Sequence, residues 1–534
     1  MGTVGLTALL LVSIPYFWLA SLDLSLEGQV WLGFGTILGL LLMRPFAGDG
    51  TFRVTFILFT AFTAVRYLIW RTCYTLPAAG SLGFVPGLGL YFAEIYSFCV
   101  FAVGAFVAVK PVKTKPAPLR ADDPDLPTVD VLIPTYNEPL DMVRLTVEAA
   151  CRISWHPQRL RIHVLDDGGT TEKRTSRDPV RRREAVERAE SLKAICAELG
   201  VEYHTRERNN HAKAGNINTA LAETGGELIL ILDCDHVPTR DILLRTCRPF
   251  RNDEALFMVQ TPHFFVTADP LERNLKTFDT MPGENEMFYG TVQQGLDFWN
   301  ATMFCGSAAV LRRRHLAEVG GIALNTVTED AETSMELHSR GYRSHYIDDV
   351  LVAGLSPETF SGFVGQRSRW AQGMVQILLL KNPLFKKGLN LGQRLGYLSA
   401  CLFWMFPFAR LAFILSPLLY LLFGIEIFDA NAVSLMAYVV PHIIASMIYS
   451  NLMYGRTRWP LINELYELAL APFLALAVIK TFLNPRKPTF NVTAKGETLS
   501  DDFISPPGAA VFHRLASVDR RLDRRRDPYA CRSG

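Results

Sequence analysis

The chain has 534 residues, of which 49% are hydrophobic and 20% charged, with a formal net charge of +2 and a mean hydropathy of +0.16. That hydropathy alongside so many charges concentrates the apolar residues in membrane spans, and the balanced charge gives no basis for nucleic acid, which needs a basic surface. Nine cysteines, scattered without CxxC spacing, support neither a disulfide framework nor a zinc site and fit a mostly cytosolic, reduced chain.

Four apolar segments precede residue 110, at roughly 3 to 22, 28 to 46, 53 to 70 and 88 to 109, each near the ~20 residues that cross a bilayer. The first lacks an A-x-A-like cleavage site and reads as a retained span. Arg44 and Arg53 flank the loop between the second and third segments, and Lys110, Lys113, Lys115 and Arg120 follow the fourth. The positive-inside rule therefore places the N-terminus and the segment after the fourth span in the cytoplasm. Arg66 and Arg410 sit within apolar stretches, where a functional role and snorkelling to the interface are both open readings.

Residues 111 to 390 read as a soluble region that opens with a Pro- and Asp-rich linker. Val129 to Pro134 is an apolar strand, Pro139 to Cys151 has helical spacing, and Arg161 to Leu165 is a second strand ending at Asp166-Asp167-Gly168-Gly169. A charged helical segment from Asp178 to Leu199 follows, and Glu227 to Leu232 is a third strand ending at Asp233-Cys234-Asp235. Strands alternating with helices predict a parallel α/β sheet, whose ligands bind beyond the carboxyl ends of the strands. Two acidic clusters lie at those ends.

Asp-Asp-Gly-Gly also suits a plain turn, since Asp bonds its own backbone and Gly permits positive φ. Asp-Cys-Asp suits a helix cap as well as a metal site, although two carboxylates at a strand end are the oxygen donors that Mg²⁺ or Mn²⁺ takes. His211-Ala212-Lys213-Ala214-Gly215-Asn216 places Lys213 in the first turn of a helix. Thr328-Glu329-Asp330 opens a helical pattern through Arg340, with Thr328 as a capping-box residue. Asp330 is the candidate general base, provided that burial or a neighbouring carboxylate raises its pKa. Phe304-Cys305-Gly306-Ser307 lies between these clusters, and Gln366-Arg367-Ser368-Arg369-Trp370 follows them. An Arg fork binds phosphate bidentately and a Trp offers a flat apolar face to a sugar, although a Trp also suits a membrane interface.

The order Asp, Asp-x-Asp, Thr-Glu-Asp, Gln-x-x-Arg-Trp resembles the processive family 2 glycosyltransferases, and within them the catalytic subunits of bacterial cellulose synthases. The resemblance implies an α/β GT-A-type glycosyltransferase domain inserted between transmembrane α-helices. It also implies inverting, processive transfer of glucose from UDP-glucose to a β-1,4-glucan exported across the bacterial inner membrane. Asp166 and Asp167 then contact the uracil or ribose, Lys213, Gln366 and Arg369 hold the donor diphosphate, and Asp233 and Asp235 bind Mg²⁺ or Mn²⁺. Cys305, Glu329 and Trp370 lie on the acceptor side, and Asp330 takes the proton. Phe490-Asn491-Val492-Thr493-Ala494-Lys495 resembles a gating loop over the donor, with Phe490, Val492 and Thr493 as its contacts. The lipid bilayer, the glucan and a periplasmic accessory subunit are the implied partners. Synthesis of another β-linked polymer such as curdlan or poly-N-acetylglucosamine is the alternative, as is an inactive remnant that only binds partners.

Residues 396 to 424 and about 432 to 453 read as two more spans within 391 to 455. Between Arg458 and Leu483 an apolar segment with Glu464, Glu467 and Lys480 reads as an interfacial helix, with a further span as the alternative. The resemblance stops near Ser505. From 506 to 534 the chain is rich in Pro, Ala and Arg, a disordered basic tail that suits anionic lipid. Related synthases continue there with two spans and a PilZ module, so a frameshifted or split gene is the expectation. Cyclic di-GMP is not expected to bind, although Arg520 and Arg524 have the Arg-x-x-x-Arg spacing.

Overall fold

The computed structural model describes residues 15–459 and 462–487. Residues 15 to 21 are helical, and most of the first expected span lies outside the described residues. Helix α1 (Leu26–Met43) begins at Ser25, whose hydroxyl accepts the Gly28 N–H at 3.2 Å. It is followed by α2 (Gly50–Tyr74) and α3 (Phe84–Val107). Large apolar side chains on these helices remain exposed, including Trp31, Leu42, Val85 and Phe92, as expected where lipid is the solvent. Arg66 does not snorkel. It is buried on α2 and donates to Gln29 Oε1 at 2.5 Å and to the Ala20 and Leu22 carbonyls at 3.0 and 2.9 Å. Those are carbonyls at a helix end, which otherwise lack partners in apolar surroundings.

The soluble region is built on a seven-stranded sheet of order β3-β2-β1-β4-β6-β5-β7. Its strands are β1 (Val129–Thr135), β2 (Leu160–Asp166), β3 (Glu202–Thr205), β4 (Leu228–Ile231), β5 (Leu256–Gln260), β6 (Ala309–Arg312) and β7 (Arg343–Tyr346). Helices α4 (Leu140–Cys151), α5 (Pro179–Leu199) and α6 (Ala212–Glu223) connect the first four strands. Alternate residues serve opposite faces. Val129, Val131, Ile133, Leu228 and Leu230 pack with Val143 and Val147 of α4 and Leu192 of α5, whereas Leu132, Ile229 and Ile231 pack with Ile217 and Ala220 of α6. Both faces are covered, so β1 and β4 are buried throughout.

The expected parallel sheet is corrected to a mixed one. Strands β1 to β4 are parallel, but β6 runs antiparallel between β4 and β5. The Phe304 to Ser307 loop lies at the carboxyl end of β4, where the Ala308 N–H bonds the Ile231 carbonyl at 2.9 Å. A chain leaving that end can only run back along β4. Three short strands, Val237–Pro238, Phe264–Phe265 and Val352–Gly354, form a small second sheet.

After β7 come α7's partner elements, and α7 itself (Glu329–Ser339) precedes that strand. Helix α8 (Phe360–Gln376) carries the Gln-x-x-Arg-Trp motif. The expected span from 396 to 424 is two helices, α9 (Leu391–Phe403) and α10 (Phe406–Phe423), broken at Trp404 and Met405. Pro407 sits in the first turn of α10, where its missing N–H costs nothing. Helices α11 (Ala432–Tyr454) and α12 (Ile462–Leu483) follow. On α12, Tyr466, Leu470, Leu474 and Val478 form an i, i+4 stripe buried against Phe363, Ala371 and Val375 of α8.

Among the described residues six helices are long and apolar enough to cross a membrane: Leu26–Phe46, Gly50–Tyr74, Phe84–Val107, Phe406–Phe423, Ala432–Tyr454 and Ile462–Leu483. The segment expected as an interfacial helix thus meets the length and apolarity of a span, while one face is docked on α8.

Candidate active site

Asp166 ends β2 and Asp167 follows it directly. Asp166 is fully buried. It accepts the Gly168 N–H at 2.9 Å, the Tyr203 hydroxyl at 2.9 Å and Arg188 Nε at 3.3 Å, so the plain turn exists, and the side chain lies behind the cavity wall. Asp167 lines the cavity, gripped by Arg206 through Nε at 2.6 Å and Nη2 at 2.7 Å. Burial raises its pKa against the pull of that guanidinium.

Lys213 enters from the first turn of α6, whose preceding residue His211 and first residue Ala212 both have positive φ, 58° and 44°. Such backbone in non-glycine residues is costly and concentrates at functional loops. Lys213 Nζ pairs with Asp233 and donates to the Gly306 carbonyl at 2.7 Å. Asp233, Asp235 and His236 place one ligand atom each within 4.8 Å of one another. Ser307 Oγ accepts the Asp233 N–H at 2.9 Å and bonds His236 Nδ1 at 2.7 Å. Two carboxylates and an imidazole are a donor set that a divalent cation accepts, so these residues fit a metal. His263 packs edge-on against His236 with ring centroids 4.7 Å apart, and burial drops its pKa to about 3, which keeps it neutral.

Cys305 and Gly306 line the cavity, and Gly306 lies directly beside Asp330. Gly306 has φ +81°, and a side chain there would also stand 3.2 Å from Asp330 Oδ2. Cys305 donates its N–H to Gln260 Oε1 at 2.9 Å, and burial pushes its thiol well up, which leaves no thiolate for covalent attack. Thr328 does stand at the N-cap of α7, but the expected capping box is absent. Three residues on lies Ala331, whose N–H is taken by Asp330 Oδ1 at 2.8 Å, and Thr328 Oγ1 is buried without a hydrogen-bond partner. Burial raises the pKa of both Asp330 and Glu329, and for Glu329 the Asp330 charge adds to it.

Gln366, Arg369 and Trp370 project from α8 into the same cavity. Arg367 between them is buried, paired with Glu284, with its guanidinium 4.5 Å from the Phe363 ring and 4.4 Å from the Trp370 ring. It braces the Trp370 indole. Close approach of α8 to the Thr-Glu-Asp turn depends on Gly373, since a Cβ there would lie 2.5 Å from the Thr328 side chain and 2.6 Å from its backbone nitrogen. Gly373→Ala is expected to cost about 1–3 kcal/mol of overpacking and to cut transfer by tenfold or more. Gly365→Ala on the same helix meets nothing within 4 Å and should raise stability slightly, by up to about 1 kcal/mol, with turnover unchanged. Gln376, at the end of α8, accepts the Val327 N–H at 2.9 Å and donates to the Pro485 carbonyl at 2.6 Å.

Asp167, Lys213, Asp233, Asp235, Asp330, Arg369 and Trp370 line one cavity of about 1460 Å³, which also reaches Trp404 and, on the apolar helices, Tyr96, Phe101, Phe413 and Tyr449. Trp370 and Trp404 stand edge to face at 6.2 Å along its course. The structure therefore brings together Asp167, Lys213, Asp233, Asp235, Cys305, Glu329, Asp330, Gln366, Arg369 and Trp370. It sets Asp166 behind them, and Phe490, Val492 and Thr493 lie outside the described residues. Arg410 is committed to Glu464 and to Glu467 at 2.6 Å, with Arg458 joining at 2.9 Å. Sequence reasoning missed His236, although it adjoins Asp-x-Asp. It also missed Arg206 and Glu284, whose partners are remote in sequence.

A helix-covered mixed sheet with acidic clusters at the carboxyl ends of β2 and β4 has the GT-A-type architecture. The model described as Glycosyl transferase family 2 matches residues 130–320, and that described as Glycosyl transferase family group 2 matches residues 228–454. Over residues 130 to 454 the chain is thus similar to the family 2 glycosyltransferases. Its relatives include the UDP-forming cellulose synthase catalytic subunits of Pseudomonas fluorescens (strain SBW25), 41% identical over 93% of this chain, and of Xanthomonas axonopodis pv. citri (strain 306), 45% identical over 82%. Cellulose synthase 2 of Novacetimonas hansenii is 41% identical over 90% of this chain. The chain spans 65%, 58% and 29% of the lengths of these relatives, respectively.

Proposed function

We propose that the chain transfers glucose from UDP-glucose to the growing end of a β-1,4-glucan and passes the polymer into the membrane helices. The observation that carries this reading is the single cavity that runs from Asp167, Lys213 and Asp235 past Asp330 and Trp370 to Tyr96, Phe413 and Tyr449. A soluble transferase has no use for a product path lined by apolar helices.

In this reading Asp167 meets the uracil or ribose, and Asp166 positions that turn through Tyr203 and Arg188. Asp233 and Asp235, with His236 beside them, would hold Mg²⁺ or Mn²⁺, which when bound neutralises the diphosphate charge. Asp330 accepts the proton of the acceptor hydroxyl as its oxygen bonds the anomeric carbon. The bond from that carbon to the phosphate oxygen breaks, and UDP leaves with the electron pair in one inverting displacement. Gln366, Lys213 and Arg369 hold the departing phosphates, while Trp370 stacks under the terminal sugar opposite Cys305 and Glu329. Phe490, Val492 and Thr493 contact the donor in this reading. The soluble region faces the cytoplasm from the inner membrane, and a periplasmic accessory subunit receives the polymer.

The test is synthesis by the full chain in lipid nanodiscs with radiolabelled UDP-glucose and Mg²⁺. An insoluble product degraded by a β-1,4-specific cellulase is expected. A polymer that resists this enzyme would overturn the linkage. UDP-glucose binding without any polymer would overturn processive synthesis.

A further inference from the structure

Among the described residues two groups of His and acidic side chains converge closely enough to share a cation: the Asp233, Asp235 and His236 group, and His163, Glu202 and His204. None of the second group lines the cavity. His163 lies midway along β2, Glu202 and His204 lie on the edge strand β3, and the register sets His163 directly against Glu202.

We propose that His163, Glu202 and His204 form a binding site for a zinc-class divalent transition metal that clamps the edge strand β3 to β2. His163 Nδ1 is 3.0 Å from His204 Nε2 and 3.3 Å from Glu202 Oε2, and His204 Nε2 is 3.4 Å from the same oxygen. Ligand atoms around a tetrahedral zinc ion, with bonds of about 2.0–2.1 Å, stand about 3.3 Å apart. The triangle is already of that size.

The nitrogens facing away from the triangle are each backed by a carboxylate. His204 Nδ1 lies 3.1 Å from Glu223 Oε2, and His163 Nε2 faces Asp130 Oδ1 at 3.5 Å with no hydrogen-bond partner of its own. Carboxylates in those positions draw the ring protons to themselves, as they do behind metal-bound histidines. Both inner nitrogens then present lone pairs to each other and to Glu202. In that tautomer three acceptors within 3.4 Å of one another form a donor set for a cation between them. His163 is buried with 2% of its side chain exposed, whereas Glu202 is 56% exposed, which gives an ion an entry path and leaves its fourth position to water.

The clamp has a route to the donor site. From β3, Tyr203 donates to Asp166 Oδ2 at 2.9 Å, and just beyond the strand Arg206 grips Asp167. A metal at the root of this strand holds the two residues that fix the Asp-Asp turn.

The experiment is Zn²⁺ titration of the untagged, chelator-stripped full chain in nanodiscs, with Mg²⁺ at millimolar excess. One equivalent is expected to bind and to raise the melting temperature. Cobalt substitution is expected to give the intense visible bands of a tetrahedral ion. Glu202→Gln and His204→Gln should each weaken binding a hundredfold or more, and Asp235→Asn should retain it. Glu202 is exposed, so its variant stays informative should His204→Gln fail to fold. Equal zinc binding by the wild type and Glu202→Gln, loss of binding in Asp235→Asn, or no binding at all would overturn the site. In the last case a proton shared between the two imidazoles fills the triangle.

Discussion

Asp330→Asn should lower glucosyl transfer by about 10²–10⁴-fold while UDP affinity stays within a few-fold of wild type. The side chain lines the cavity beside the Gly306 turn, to which Lys213 also reaches. An amide keeps its shape and its bond to the Ala331 N–H side of the helix, but it cannot take a proton. Loss of UDP binding equal to that of the metal-site variants would remove Asp330 from the role of base.

The same residue sets a pH dependence. Burial raises the Asp330 pKa, and the neighbouring Glu329 is raised as well, so the two titrate as a pair. A base works only when ionised. Activity is therefore present above the raised pKa and is lost as pH falls through it. The acid limb of kcat/KM, which reports the free enzyme, should lie above the ordinary carboxylate value of about 4. An acid limb at or below that value would mean that the carboxylate is solvated during turnover.

Asp235→Asn should have an effect of similar size by another route. The side chain is buried with its ligand atom close to those of Asp233 and His236. Replacing one anionic oxygen with an amide weakens a hard cation's site and removes charge neutralisation from the leaving diphosphate. That stabilisation is worth several kcal/mol, or about 10³-fold in rate. Unlike Asp330→Asn, this variant should also lose Mg²⁺-dependent UDP affinity, and raising Mg²⁺ should recover part of it. Isothermal titration of UDP at two Mg²⁺ concentrations measures both. Unchanged affinity at low Mg²⁺ would place the cation elsewhere.

Much of this was legible in the sequence because it depends on local rules. Apolar runs of bilayer length mark α1, α2, α3 and α11, and short buried strands ending in Asp clusters mark β2 and β4, since strand ends in such sheets are where ligands gather. The charged helical run from Asp178 to Leu199 marks α5, whose start is capped by the Asp178 carboxylate accepting the Val180 N–H at 3.0 Å. The reversed strand β6 was not legible, because apolar alternation is the same in either direction and only the position of the Phe304 to Ser307 loop at the end of β4 decides it. Nor was the fate of Thr328. Its sequence suits a cap, but the docking of Gly373 against it and the pull of Asp330 on the Ala331 N–H leave its hydroxyl without that role. Arg206 with Asp167, Arg66 with the Ala20 and Leu22 carbonyls, and the His163, Glu202 and His204 triangle all join residues far apart in the chain. Periodicity and capping act over a few residues, whereas charge pairing and metal geometry act over a few ångströms of space, and only the packed sheet and helices convert one into the other.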